Sequence, residues 1–132
     1  MTPPSPYFAI ALTLASGLSM RVHRPYLFIR KRQYGLPGEV SLKQTTGYSR
    51  TDMFINNVHR GDRVVFVDDV ISTGGTLRAI VKALRQIGAE VTDVLIVFEK
   101  TRDKALMEQE LGVTIKTLMA VEVVRGKLVE RI

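Results

Sequence analysis

The 132-residue sequence predicts an α/β domain with a mostly parallel sheet, because strand-like and helix-like segments alternate along it. Two runs, "DRVVFVDD" (62–69) and "VTDVLIVFEK" (91–100), are nearly continuously apolar, as expected for strands buried on both faces. Between them, apolar residues recur at helical spacing: Leu77, Ile80, Val81, Leu84 and Ile87. The length fits a single domain over residues 1–132.

The first half of the chain predicts three elements. Apolar residues from Phe8 onward suit a buried helix that stops at Gly17. The run "YLFIRK" (26–31) then suggests a strand that ends in basic residues. Residues 33–52 are rich in Gly, Thr and Ser, and we expect them to form a flexible loop with room for a short hairpin.

The second half continues the alternation. Gly88 is expected to end the helix that follows the Gly pair, and Gly112 to end a second helix over 102–111. The run "VTIKTLMAVEVV" (113–124) predicts another strand. The chain then turns at "RGK" toward "LVERI", which indicates a hairpin.

The composition excludes some kinds of site. The chain has no Cys and only two His, at 23 and 59, so it contains neither a disulfide framework nor a thiolate metal site. This fits a cytoplasmic protein. The net charge of +6 favours anionic partners without choosing among them. The apolar run at 7–18 lacks a preceding basic residue and is too short to span a bilayer, so we interpret it as a buried helix and not as a targeting signal.

The stretch "VVFVDDVISTGGT" (64–76) carries the chemistry. Asp68 and Asp69 are expected at the carboxyl end of a parallel strand, where ligands bind in open α/β sheets. Two ionised carboxylates offer only hydrogen-bond acceptors. Their natural partners are therefore the vicinal hydroxyls of a sugar or a hydrated Mg²⁺ ion.

The loop after the acids is suited to an anion. Gly74 and Gly75 let the backbone curl, the next helix contributes its N-terminus, and Ser72, Thr73 and Thr76 add hydroxyl donors. The pattern is neither a P-loop nor a dinucleotide motif. An alternative is that the acids only cap a helix and the glycines only make a turn. Because strand, acids, loop and helix occur in order, we favour a ribose 5-phosphate site.

The same stretch resembles the phosphoribosyl-pyrophosphate signature of the type I phosphoribosyltransferases. The segments "RKRQYGLPGEVSLKQTTGYS" and "GDRVVFVDDVISTGGTLRAIVKALRQIGAEVTDVLIVFEK" resemble the archaeal hypoxanthine enzymes and, more distantly, the adenine enzymes. The resemblance runs from about Phe8 almost to the C-terminus. It implies a three-layer fold, with a mostly parallel sheet and helices on both faces.

The resemblance also implies an activity, in which ribose 5-phosphate moves from phosphoribosyl pyrophosphate to a purine base and Mg²⁺ is held mainly by the substrate. Asp68 and Asp69 would bind the ribose hydroxyls, and residues 72–76 the 5′-phosphate. Arg30 and Lys31 would face the pyrophosphate. Residues 33–52 match the loop that closes over the reaction, where Tyr48 is a candidate catalytic residue.

The chain departs from the family at two points. Its relatives have an N-terminal segment with the first core strand and a pyrophosphate loop, where this sequence has "MTPPSP", so the fold is expected to lack that strand. Either the sequence is incomplete at its start, which we favour, or another segment or subunit fills the place of the strand. Ser72 and Gly47 stand where other purine enzymes carry acids, and "YGLPGE" favours the archaeal hypoxanthine type. Glu99 and Lys100 are expected near the base pocket.

Two other interpretations remain beside a purine salvage enzyme. One is a regulator that senses phosphoribosyl pyrophosphate and binds nucleic acid, although neither a helix-turn-helix motif nor a dense basic stripe supports it. The other is a truncated, inactive relative. The resemblance favours the enzyme, acting as a homodimer without nucleic acid or membrane.

Overall fold

The computed structural model describes residues 7–9, 12–30, 32–45 and 50–131. The strands are β1 (Tyr7–Ala9), β2 (Val40–Thr45), β3 (Arg50–Ile55), β4 (Arg63–Ile71), β5 (Glu90–Glu99), β6 (Ile115–Val124) and β7 (Lys127–Glu130). The helices are α1 (Leu12–Val22), α2 (Gly75–Ile87) and α3 (Lys104–Leu111). None of the helices in the described residues is both long and apolar enough to cross a membrane.

The strands form a five-stranded sheet in the order β1-β4-β5-β6-β7 and a separate hairpin of β2 and β3. Within the five-stranded sheet, β1, β4, β5 and β6 run parallel, and β7 is antiparallel to β6. The prediction of a mostly parallel sheet is confirmed. Because parallel strands end at the same edge, the carboxyl ends of β4 and β5 lie side by side.

Strand β4 separates two apolar clusters. Val64 and Phe66 pack with the buried face of α2, whereas Val65 and Val67 pack with Ala15 of α1. Alternate residues of a strand point to opposite faces of the sheet, so α1 and α2 cover opposite faces. The fold therefore has the three layers that the resemblance implied.

The start of the chain differs from our prediction. Phe8 lies in a strand and not in a helix, because Tyr7–Ala9 pairs in parallel with residues 64–66 of β4. Helix α1 begins at Leu12, and Gly17 lies inside it and does not end it. The position beside β4, where we expected a missing strand, is thus occupied by β1, whose backbone groups satisfy part of the β4 edge.

The predicted strand at 26–31 is also wrong. Among residues 26–30 no strand forms, and Arg30 makes an isolated antiparallel bridge to Phe54 of β3, with N···O distances of 3.0 and 2.7 Å. Its backbone therefore pairs with the β2–β3 hairpin, outside the main sheet. Lys31 lies outside the described residues.

The hairpin expected within residues 33–52 is present. Strands β2 and β3 pair in antiparallel register from Val40 opposite Ile55 to Thr45 opposite Arg50. Residues 46–49, which include Tyr48, lie outside the described residues. The C-terminal hairpin is confirmed as well: Arg125 and Gly126 both have positive φ, 51° and 77°, as a two-residue turn between β6 and β7 requires.

The helix ends after the glycine-rich loop are as predicted. Gly88 follows α2 with φ 97°, and Gly112 follows α3 with φ 65°. These left-handed conformations end both helices. Helix α3 begins at Lys104, two residues later than the expected Arg102.

Candidate active site

Asp68 and Asp69 lie in the second half of β4, which continues to Ile71. The strand is thus slightly longer than predicted. The carbonyl of Ile71 accepts hydrogen bonds from the N–H groups of Lys100 (2.9 Å) and Thr101 (3.2 Å), just after β5. These bonds hold the end of β4 against its neighbour, so the position of the loop that follows is fixed by the sheet.

The residues after the acids enclose a cavity at this edge of the sheet. We call it the Asp68 cavity; it is lined by Phe66, Asp68, residues 70–77 and Ile96. The lining therefore contains Ser72, Thr73, Gly74, Gly75 and Thr76. The structure brings these five residues and Asp68 together, as the sequence predicted.

Asp69 occupies a different position from Asp68. Adjacent side chains of a strand alternate in direction, and Asp69 does not line the Asp68 cavity. Its backbone N–H nevertheless donates a 2.8 Å hydrogen bond to Oδ1 of Asp68. The structure thus places one carboxylate in the cavity and the second beside it.

The two acids influence each other electrostatically. The pKa of Asp68 is raised from 3.8 to about 6: burial is the largest cause, the hydrogen bond and charge of the Asp69 side chain add to it, and the Asp69 N–H opposes it. A carboxyl group that titrates near pH 6 changes its charge close to neutrality. We therefore expect ligand binding in this cavity to depend on pH.

The 72–76 loop leads directly into α2. Gly74 has φ 81°, in the left-handed region, and the helix begins at Gly75. The N–H of Gly75 is 3.4 Å from the Oγ1 of Thr73, a long contact. A glycine loop at a helix N-terminus, with backbone N–H groups and positive potential, is suited to a phosphate group.

Gly74 is also needed for close packing. An added Cβ would lie 2.6 Å from the Sδ and 2.7 Å from the Cε of Met107, which is buried in α3. No side chain fits there without moving Met107. The 72–76 loop is therefore held between the sheet and α3.

Arg30 is not part of the Asp68 cavity. Its guanidinium donates to the carboxylate of Glu39 and to the Oδ1 of Asn56, and stacks on the ring of Tyr34 at 4.0 Å. The side chains of Arg30 and Glu39 are only 9% and 7% exposed. Arg30 is thus held in a buried ion pair and lines a separate pocket. Its predicted contact with pyrophosphate gains no support from these contacts.

Glu39 was not singled out from the sequence. Its carboxylate accepts hydrogen bonds from the N–H groups of Tyr34 (2.8 Å) and Gly35 (3.2 Å) in addition to Arg30. Burial alone raises the pKa of Glu39, but these two N–H groups and the Arg30 charge outweigh it, so the pKa lies below its usual value. Glu39 therefore holds the turn before β2 against Arg30.

Glu99 and Lys100 do not line the Asp68 cavity. The carboxylate of Glu99 binds the Thr117 hydroxyl (2.8 Å), Arg131 (3.1 Å) and Lys104 (3.5 Å). Arg131 also donates to the carbonyl of Thr101 at 2.9 Å. Glu99 is thus engaged in joining β5 to β6 and to the residue after β7, whereas the Lys100 side chain is exposed. The predicted base-pocket role of this pair has no structural support here.

We expect Glu99→Ala to lower the free energy of unfolding by about 3 kcal/mol, because it leaves the largely buried Arg131 and the partly exposed Lys104 without their carboxylate. Urea unfolding of both proteins measures this change. The control is Glu122→Ala, which removes the more exposed ion pair with Arg102 and should cost less than about 1 kcal/mol. Equal losses in the two variants would contradict the structural role of Glu99.

Comparison with known proteins gives a consistent family. Residues 9–124 match the model of the phosphoribosyl transferase domain. A hypoxanthine/guanine phosphoribosyltransferase of Methanocaldococcus jannaschii is 46% identical over 121 residues, which are 92% of this chain and 66% of that protein. An HGPRTase-like protein of Halobacterium salinarum is 50% identical over 121 residues, 92% of this chain and 63% of that protein.

The chain spans only 62% to 66% of the length of such archaeal relatives.

Solved structures support the fold. The adenine phosphoribosyltransferase from Rhodothermus marinus has a TM-score of 0.72 at 21% identity and covers 89% of this chain and 69% of that one. The adenine phosphoribosyltransferase from Leishmania donovani has a TM-score of 0.73 at 18% identity. The match covers 91% of this chain and 58% of that protein. With the family model matching most of its length, the chain belongs to the phosphoribosyl transferase domain family.

Proposed function

We propose that this chain carries the sugar-phosphate site of a purine phosphoribosyltransferase of nucleotide salvage, which transfers ribose 5-phosphate from phosphoribosyl pyrophosphate to hypoxanthine or guanine and releases pyrophosphate. One observation carries the proposal: Asp68 and the whole 72–76 loop line the same cavity at the carboxyl edge of a parallel sheet. The names of the archaeal relatives support the choice of base.

The parts of the substrate match the parts of this site. The 5′-phosphate would bind the N–H and hydroxyl groups of the 72–76 loop, at the positive end of α2. Asp68 would accept a hydrogen bond from a ribose hydroxyl, with Asp69 beside it as a second acceptor. The two contacts together orient the ribose, so that its anomeric carbon is presented in one direction.

Charge stabilisation follows from the same arrangement. When pyrophosphate leaves, positive charge develops on the sugar ring, and a nearby carboxylate stabilises that charge in a site with little water. Asp68 is half-buried and must be ionised to act in this way. Its raised pKa therefore sets a lower pH limit for the reaction.

Mg²⁺ fits the donor groups present. No group of three or more His, Asp or Glu arranged for a metal ion occurs in the described part of the chain, but proteins commonly hold Mg²⁺ through one or two carboxylates together with substrate phosphates. The pair Asp68 and Asp69 would supply such carboxylates. The ion would neutralise the leaving pyrophosphate. We also propose, from the resemblance, that the protein acts as a homodimer in the cytoplasm.

The test is a transfer assay. The protein is incubated with phosphoribosyl pyrophosphate, Mg²⁺ and hypoxanthine, guanine or adenine in turn, and pyrophosphate release is followed. We expect release with hypoxanthine and guanine, little with adenine, and only slow hydrolysis without a base. Saturable binding of the sugar phosphate without turnover on any base would reject the enzyme and leave the sensing regulator and the truncated, inactive relative.

A further inference from the structure

Arg78 joins the 72–76 loop to α3. It lies in the first turn of α2, and its Nη1 donates to the carbonyl of Thr73 at 3.0 Å. Its Nε lies 3.2 and 3.0 Å from the two carboxylate oxygens of Glu110 on α3. One guanidinium thus connects the loop to a helix that is about 30 residues away in the chain.

The bonded carbonyl fixes the orientation of a peptide group. The bond between Thr73 and Gly74 is trans, so its C=O and N–H point in opposite directions. Arg78 does not line the Asp68 cavity, whereas both residues of this peptide do. A carbonyl held by Arg78 leaves the Gly74 N–H on the opposite side of the peptide group, away from the guanidinium.

Helix stabilisation does not explain Arg78. A cation in the first turn of a helix is disfavoured by the helix dipole. Its ion pair with Glu110 is only partly buried, with side-chain exposures of 38% and 53%, so it contributes little to stability. The contact that remains to be explained is the hydrogen bond to the loop. The fork of a guanidinium reaches Thr73 and Glu110 together, which an ammonium group does not reproduce.

We propose that Arg78 is a positioning residue: it holds the Thr73–Gly74 peptide so that its N–H faces the bound phosphate, and Glu110 holds Arg78 in place. This role rests on the proposed function, because it concerns the same sugar-phosphate site. It differs from direct phosphate binding, since the guanidinium acts through the backbone of the loop. Helix α3 thereby supports the loop through Glu110 as well as through Met107.

The test compares two arginines of α2. Arg78→Ala removes the bond to the loop, whereas the control Arg85→Ala removes a similar bond from α2 to the α3 carbonyl of Leu111, away from the cavity. Binding of ribose 5-phosphate is measured by calorimetry. We expect Arg78→Ala to bind about 10-fold more weakly and Arg85→Ala to bind like the original protein, because a charged hydrogen bond contributes on this scale.

Kinetics separate positioning from a general loss of structure. Arg78→Ala should raise the KM for phosphoribosyl pyrophosphate with little change in the KM for the base or in Tm. Arg78→Lys should restore part of the affinity, and Glu110→Gln should give an intermediate loss. Unchanged ribose 5-phosphate binding in Arg78→Ala would overturn this inference alone. Failure of the unsubstituted protein to bind ribose 5-phosphate would instead overturn the proposed function.

Discussion

Asp68→Asn is expected to lower the rate of phosphoribosyl transfer about 100-fold, because it removes the negative charge that faces the sugar as pyrophosphate leaves. The substitution keeps the shape of the side chain and one acceptor oxygen. The loss should therefore appear mainly in kcat, measured by pyrophosphate release at saturating substrates. The matched control is Asp93→Asn on the neighbouring β5, whose carboxylate contacts only Lys116 among the ion pairs of the described residues, at 3.7 Å.

The pH dependence should identify the same group. Since burial and Asp69 raise the pKa of Asp68 to about 6, the carboxylate is lost below that pH, and the transfer rate should rise as pH increases through 6. Asp68→Asn should abolish this rise, whereas Asp93→Asn should keep it. An unaltered pH profile in Asp68→Asn would show that another group titrates.

As pH rises through 6, the stability of the protein should fall while its transfer rate increases. Between pH 3.8 and about 6 the folded protein binds more protons at Asp68 than the unfolded chain does, so its free energy of unfolding falls as pH rises through this range. The free-energy cost of holding an ionised Asp68 in the folded protein is therefore fully present at neutral pH. Asp68→Asn removes it, and urea unfolding at pH 7.5 should show a more stable protein than the original. A protein often becomes more stable when a residue that is buried for ligand binding is replaced and its function is lost.

Gly74→Ala is expected to lower the free energy of unfolding by about 3 kcal/mol and to abolish measurable ribose 5-phosphate binding. The new methyl group would meet Met107 at 2.6 Å, and the φ of 81° is strained for alanine. Because Met107 is buried, we expect the loop to shift away from α3. A shift of its backbone moves the N–H groups that would hold the phosphate, so stability and affinity should fall together.

Gly126→Ala separates the effect of the contact with Met107 from the effect of the strained backbone. Gly126 has a similar φ of 77°, but nothing lies within 4 Å of an added Cβ. This control should cost about 1 kcal/mol from backbone strain alone and leave ligand binding unchanged. Denaturant unfolding and calorimetry measure both effects. Equal destabilisation of the two variants would mean that Met107 moves aside without cost.

The central motif was predictable because its signals are local. Strand, acids, glycines and helix follow one another within 64–76, and a parallel sheet brings such a segment to its binding edge. The helix ends at Gly88 and Gly112 and the turn at Arg125–Gly126 are local for the same reason, since each depends on a residue that accepts a positive φ.

The failures concern contacts between distant residues. Short apolar runs do not distinguish strand from helix, so Phe8 was assigned to a helix although pairing with β4 makes it a strand. Residues 26–31 look like a sheet strand, but Arg30 bonds to the hairpin instead. The role of Arg30 at pyrophosphate stays a prediction, and its partner Glu39 is visible only in the folded chain.

Contacts with α3 had no signal in the sequence at all. Met107 limits Gly74, and Glu110 holds Arg78, across a separation of about 30 residues. Neither residue belongs to a recognisable motif. Both acids of the aspartate pair are expected at the ligand, and the pleat of β4 places Asp68, but not Asp69, in the lining of the cavity.

The most direct measurement is a two-dimensional NMR titration of the 14.8 kDa chain with ribose 5-phosphate, following every backbone amide. We expect the largest shifts in residues 72–76 and at Asp68 and Asp69, and we expect them to be absent in Gly74→Ala. If instead the amides around Arg30, Tyr34 and Glu39 shifted while the 72–76 loop did not, the assignment of the phosphate site to this loop would be contradicted.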